Sequence, residues 1–179
     1  MSQKLIMPVN NSTITATFKN KKYYMRFGFV HYGIDIIGEP NVWSCGNGIV
    51  TLTGLSNTYG NFASVIYPDV KGSAFPFLLA NYFHLSSVSV APGQVVSKDT
   101  RVGIMGCTGK YVTGIHLHFE LFPLQCINAL INYIAPDYLP NNSKINPLSI
   151  LHIKTSAPDF QSISFTNDGY CNPVDIPLF

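Results

Sequence analysis

Charge is scarce in this chain: only 11% of its 179 residues are Asp, Glu, Lys or Arg, and the net charge is +2. So small an excess offers little grip on a phosphate backbone, and no nucleic-acid partner is expected. Long apolar runs are absent too. The richest stretch, "FPFLLANYF" at 75–83, falls far short of the roughly 20 residues that cross a bilayer. The opening "MSQKLIMPVNN" has an apolar run of three, no h-region of a secretory signal, so synthesis without an export signal is expected. Cysteine is sparse: Cys45, Cys107, Cys126 and Cys171 are too few and irregular for a disulfide framework, and none forms a C-x-x-C pair. They read as small buried or half-buried thiols. The motif H-E-x-x-H is missing as well, so no helix glutamate between two histidine ligands serves as a general base.

What is present is apolar and β-prone. Hydrophobic residues make up 46% of the chain, enough for a proper core and against disorder. Val, Ile, Thr, Tyr and Phe fall in short runs broken by Gly, Pro and Asn, which favours a mainly β protein built on antiparallel sheet. Strands are expected over 33–37, 48–52, 62–67, 79–85, 102–105 and 115–122, and "INPLSILHIK" at 145–154 returns to strand. In "LQCINALINYI" at 124–134, Ile127, Leu130, Ile131 and Ile134 recur at helical spacing. That surface suits the chain's own sheet or a partner equally. With no repeat or low-complexity linker, residues 1–179 read as one domain, its core at about 28–150 and an extension at 155–179.

Chemistry concentrates in the histidines. In "TGIHLHFEL" at 113–121, His116, His118 and Glu120 share one parity, and Ile115, Leu117, Phe119 and Leu121 the other. On a strand, side chains at i and i+2 point the same way with α-carbons roughly 6.6–6.8 Å apart, so two imidazoles and a carboxylate can line one wall. A polar outer face of an edge strand gives the same pattern. In "HYGID", His31 and Asp35 would lie about 13 Å apart on a straight strand, and Gly33 lets the chain bend to bring them closer. His84 follows a hydrophobic strand in "NYFHLSS", where a hydrogen-bonded strand-end histidine is the ordinary reading. His152 has no motif around it and reads as structural.

Taken together, H-x-G-x-D, Y-x-H-L and H-L-H-F-E follow in an order and spacing that resembles the lysostaphin-type (LytM-like) zinc endopeptidases, which cut peptidoglycan peptides. "VSVAPGQVVSKDTRVGIMGCTGKYVTGIHLHFEL" at 88–121 is similar to that family's core, and the likeness runs over about 28–122. "INPLSIL" resembles its closing segment. The resemblance implies a single-domain antiparallel β fold with a central groove. It also implies Zn²⁺ held by His31, Asp35 and His118, with His84 and His116 unbound and acting on the substrate. The implied activity is endopeptidase action on the stem or cross-bridge peptides of peptidoglycan, at the bacterial cell wall. A phage lysis protein or tail-associated wall hydrolase fits a chain without an export signal. Two departures stand out: the excursion at 123–146 is longer than the usual link to the closing segment, and 155–179 has no counterpart.

Two imidazoles and a carboxylate suit zinc and leave a fourth position for water, the catalytic arrangement. An imidazole changes protonation near neutral pH, so His116 is expected to serve the bound water and His84 the tetrahedral intermediate. Glu120 either orients a histidine by a hydrogen bond or faces solvent, and Tyr24, Tyr32 and Tyr82 either line the cleft or pack. The main rival is a non-catalytic relative acting as scaffold or regulator of wall hydrolases, but such proteins lose ligands and all five positions are filled here. A cupin-type barrel would place its Glu further beyond the H-x-H pair and another His downstream. A carbonic-anhydrase-like site would need a third histidine in place of Asp35.

Overall fold

Period-two alternation of apolar residues dictates sheet, and antiparallel sheet dominates the observed architecture. The computed structural model describes residues 2–126 and 143–151, and the backbone of 164–165 and 171–172. In chain order the elements are β1 (Thr13–Ala16), α1 (Lys21–Phe27), β2 (Ile34–Ile37), β3 (Asn41–Trp43), β4 (Gly48–Ser56), β5 (Gly60–Pro68) and β6 (Phe77–Leu85). They continue with β7 (Ser87–Val88), β8 (Val95–Val96), β9 (Arg101–Ile104), β10 (Leu117–Leu124), β11 (Ser164–Phe165) and β12 (Cys171–Asn172). Seven strands form one antiparallel sheet in the order β1-β2-β10-β6-β5-β4-β8, and β3-β9-β7 form a smaller one. β11 and β12 pair with each other.

β10 is central, flanked by β2 and β6. Its Leu117, Phe119 and Leu121 are fully buried beside Ile34, Ile36 and Tyr82. Burying side chains of this size contributes about 1.5–3 kcal/mol each, which fixes the register, because a slip of one residue would turn the apolar set outward. The alternate residues, His118 and Glu120, are thereby forced onto the other face. The ladder starts at Leu117, so Ile115, expected within it, is exposed.

Each expected strand before 123 has its counterpart, with β4 and β5 running several residues further. β1, β3 and α1 were not expected. The helix is marked by its ends: the Asn20 side chain accepts from the Tyr23 N–H, and left-handed Gly28 donates its N–H to the Tyr24 carbonyl. The strand expected from 145 gives way to a 3₁₀ turn at Pro147–Ser149, because Asn146 accepts from the Leu148 N–H and Pro147 opens the turn. Residues 152–154 and most of the helix expected at 124–134 lie outside the described residues; Leu124 itself ends β10. So does the extension at 155–179, apart from the β11–β12 backbone. Cys45 is buried as expected, whereas Cys107 and Cys126 are exposed. Among the described residues no helix is long and apolar enough to cross a membrane.

Candidate metal centre

Two strands and one tight approach bring three of the expected residues together. In the β2–β10 ladder His118 sits directly opposite Asp35, and His118 Nδ1 lies 2.8 Å from Asp35 Oδ1. His31 precedes β2 in non-strand backbone, so the separation of a straight strand does not apply. Its Nε2 lies 3.0 Å from both Asp35 Oδ1 and His118 Nδ1. Gly33 makes this possible: a Cβ there would stand 2.6 Å from the Phe119 carbonyl oxygen and 2.8 Å from two atoms of the His118 ring. Only a residue without a side chain lets that imidazole cross the chain so closely.

Hydrogen bonds on the far sides of the rings decide what the near sides offer. His31 Nδ1–H donates to the Thr17 carbonyl at 2.8 Å, leaving a lone pair on Nε2. His118 Nε2–H donates to Glu120 Oε1 at 3.1 Å, leaving a lone pair on Nδ1. Two ring nitrogens and a carboxylate oxygen thus converge at 2.8–3.0 Å. Three electron pairs so placed repel one another unless a proton or cation lies among them. Ligands on a tetrahedral zinc, each about 2.0–2.1 Å from the ion, stand about 3.3 Å apart, so the set needs only a slight expansion to fit.

Burial raises the Asp35 carboxyl, but the rings of His31, His116 and His118 outweigh it and hold the group well below the usual carboxylate range. Burial lowers the His118 ring, but Asp35 and Glu120 outweigh it and push it up to about 9.

His84 and His116 stand at the edge of this cluster. Each donates Nδ1–H to a backbone carbonyl, Thr108 at 2.9 Å and Gly114 at 3.0 Å, and so presents an Nε2 lone pair. His116 Nε2 is 3.6 Å from Asp35 Oδ1, and the two rings are 4.9 Å apart. Burial, reinforced by His118 and His116, pushes His84 down to about 3, so its ring is neutral at ordinary pH.

A bulge brings His84 there. Between the pairs Asn61↔Leu85 and Ala63↔Tyr82, one residue of β5 faces Phe83 and His84 of β6. His84 takes φ +64°, the left-handed region, a conformation that costs a residue with a Cβ about 1–2 kcal/mol. Thr108 clamps the bulge: its hydroxyl donates to the Leu85 carbonyl at 2.8 Å and accepts from the Asn61 N–H at 2.9 Å. Gly60 (φ +69°) is what admits Thr108, since a Cβ there would meet it at 2.2 Å.

The cavity over these residues is about 560 Å³. Tyr24 and Tyr32 line it, joined by Tyr23, Phe29 and Tyr111. Tyr82 does not: it is sealed in the core, where its hydroxyl meets Tyr67 and Cys45. Sequence reasoning missed Lys144, whose ammonium lies 2.9 and 2.8 Å from the two oxygens of buried Glu120. It also missed Tyr23, which stacks on His31 with ring centroids 4.4 Å apart. A lysine just before the closing segment was the one available hint of the first, and the Asn20 cap of the second.

Against known proteins, residues 29–129 match Peptidase family M23. The chain is 38% identical over 94 residues to peptidoglycan DD-endopeptidase ShyA of Vibrio cholerae, covering 51% of this chain and 20% of that protein. It is 33% identical over 113 residues to ShyB of the same organism, covering 60% and 24%. The chain therefore spans only a fifth to a quarter of these curated relatives. Among solved structures, the catalytic domain of the antimicrobial peptidase lysostaphin from Staphylococcus simulans aligns with a TM-score of 0.58 at 27% identity, over 78% of this chain and 91% of that one. The SpoIIQ–SpoIIIAH pore-forming complex aligns at 0.61 and 20% identity, over 84% and 92%, a likeness of fold alone. With the match spanning more than half its length and enclosing the histidine cluster, the chain belongs to Peptidase family M23.

Proposed function

We propose that the chain is a zinc-dependent endopeptidase hydrolysing peptide bonds in the stem or cross-bridge of bacterial peptidoglycan, and so acting at the cell wall. In this reading His31, Asp35 and His118 hold the ion, and His84 and His116 act on the substrate. The observation that carries it is the convergence of two imidazole lone pairs and a carboxylate oxygen within 3.0 Å, each ring fixed from behind by a hydrogen bond. Family membership and the relatives' names supply the substrate class. Fold does not decide the matter, since a pore-forming complex shares it; the filled site argues against a non-catalytic scaffold.

Zinc, when bound, lowers the pKa of a coordinated water and polarises a carbonyl oxygen. The chain's own residues do the rest. His116 Nε2 stands 3.6 Å from Asp35 Oδ1, its ring held by Nδ1–H donation to the Gly114 carbonyl, so it takes the water's proton and returns it to the leaving amine. His84 faces the developing negative charge. With Nδ1–H committed to the Thr108 carbonyl, its Nε2 offers a lone pair, and a proton drawn there from solvent as charge grows on the substrate oxygen makes the ring a donor to that oxygen. The aromatic wall of Tyr23, Tyr24, Phe29 and Tyr111 gives the peptide an apolar surface to lie on beside this edge.

Purified peptidoglycan incubated with the zinc-loaded protein tests the proposal, the fragments being read by mass spectrometry. Cleavage at peptide bonds that stops with a chelator and resumes with zinc is the expected result. Intact peptidoglycan after incubation with fully loaded protein would overturn it.

A further inference from the structure

Lys144 is a buried cation held in place by the loop that returns beside β10. Only 1% of its side chain is exposed, and 2% of Glu120's. A buried lysine is costly unless paired, and here its ammonium donates to Glu120 Oε1 at 2.9 Å and lies 2.8 Å from Oε2. Its neighbour Ile145 donates its N–H to the Leu121 carbonyl at 3.0 Å, extending the edge that β2 leaves open beyond Phe119. The Asn146 cap and the turn at Pro147–Ser149 then anchor the segment. The ammonium also stands 5.9 Å from the Tyr59 ring centre, itself 6.3 Å from that of His118.

We propose that Lys144 is a positioning residue for the metal centre: it fixes the Glu120 carboxylate so that Glu120 accepts from His118 Nε2–H and holds His118 Nδ1 toward the ion. Glu120 Oε1 accepts from both Lys144 and His118, and the ammonium beside Oε2 holds the carboxylate against turning away from His118. The imidazole it receives is thereby locked in tautomer and ring angle. Supports of this kind behind a metal-ligating histidine are worth about 10- to 100-fold in metal affinity. The inference rests on the reading of His118 as a zinc ligand. It goes further by making a residue 26 positions downstream of His118 part of the centre.

The test is metal affinity rather than turnover. Apo protein is titrated with zinc against a competing chelator for wild type, Lys144→Met, Lys144→Arg and the double variant Lys144→Met/Glu120→Gln. The Co²⁺-substituted forms are compared by visible absorption. Lys144→Met is expected to bind zinc about 10- to 100-fold more weakly and to alter the Co²⁺ bands, with Lys144→Arg recovering most of both. Should Lys144→Met not fold, the double variant removes the unpaired buried charge and keeps an acceptor for His118, and it is expected to fold with weakened zinc binding. A folded Lys144→Met, or in its place a folded double variant, with wild-type affinity and Co²⁺ spectrum would overturn the role of Lys144 alone. Wild-type protein that binds no zinc would overturn the underlying reading of the site.

Discussion

Phe83 and His84 are neighbours along β6, yet both rings stand 5.8 Å, centroid to centroid, from that of His118. Alternation would have sent one of them into the core. Phe83 pairs with His118 across the β6–β10 ladder and shares its face, and Tyr82 pairs with Phe119 on the other. By parity His84 belongs with Tyr82. The bulge opposite Phe62 cancels that parity and turns His84 onto the face of His118.

This backbone makes the ordinary ranking of residues reverse at position 84. With φ at +64°, glycine is unstrained and alanine is not, so His84→Gly is expected to be more stable than His84→Ala by about 1 kcal/mol. Urea denaturation of the two variants measures the difference. Both are expected to keep zinc and to lose hydrolysis, by about 100-fold or more if the ring stabilises the transition state.

Substitution within the ligand set has a different signature. His118→Ala removes the nitrogen opposite Asp35 and leaves Glu120 with Lys144 as its remaining donor. Zinc content measured on the purified variant is expected to fall to near zero, whereas His84→Ala retains it. An emptied His84→Ala, or a fully loaded His118→Ala, would contradict the division between ligands and substrate-facing histidines.

Protons and metal compete for the same atoms. His118 is pushed up to about 9 in the metal-free protein, so near pH 7.5 its Nδ1 carries a proton that zinc must displace. Zinc added to apo protein in weak buffer is expected to release protons, fewer as the pH approaches 9. The stability linkage has a definite sign. A pKa raised from about 6.5 contributes fully below 6.5 and is lost as pH rises through about 9. The urea midpoint of the metal-free protein is therefore expected to fall between pH 7 and 9. Asp35 works oppositely: its depressed pKa stabilises above the usual carboxylate range and that support is lost in acid.

Thiol chemistry separates the cysteines. Cys45 is buried and its thiol pushed up to about 12 by desolvation, against a hydrogen bond from the Tyr82 hydroxyl. Cys107 and Cys126 are exposed. Alkylation of the native zinc-loaded protein at pH 8, read by peptide mass, is expected to modify those two and spare Cys45 until urea is added.

The strand-borne half of the site was legible because alternation is a local signal: Leu117, Phe119 and Leu121 announce which way His118 and Glu120 point. Asp35 was legible only through the H-x-G-x-D resemblance: Gly33 was expected to bend the chain, whereas its missing side chain admits the His118 ring. Two features were not. The bulge at His84 depends on a clamp from Thr108, 24 positions away, and a window over 79–85 reads as a plain strand. Lys144 meets Glu120 because the chain returns beside β10, and no periodicity marks that return. α1 was missed because seven residues rich in Tyr and Phe carry weak helical preference, so that only the caps at Asn20 and Gly28 betray it. The strand expected from 145 failed where Asn146 and Pro147 supply turn chemistry instead.

His31 and His118 are 87 positions apart in sequence, yet their ring nitrogens nearly touch. An ion seated between them would act as a removable cross-link, tying the segment before β2 to the middle of the sheet. Closing so long a loop restricts the unfolded chain as a covalent staple does, by an amount that grows only slowly with loop length. If the proposed zinc is bound there, chelation is expected to do more than stop hydrolysis: it would loosen the β1–β2 border first, and zinc supply would set how long the molecule survives.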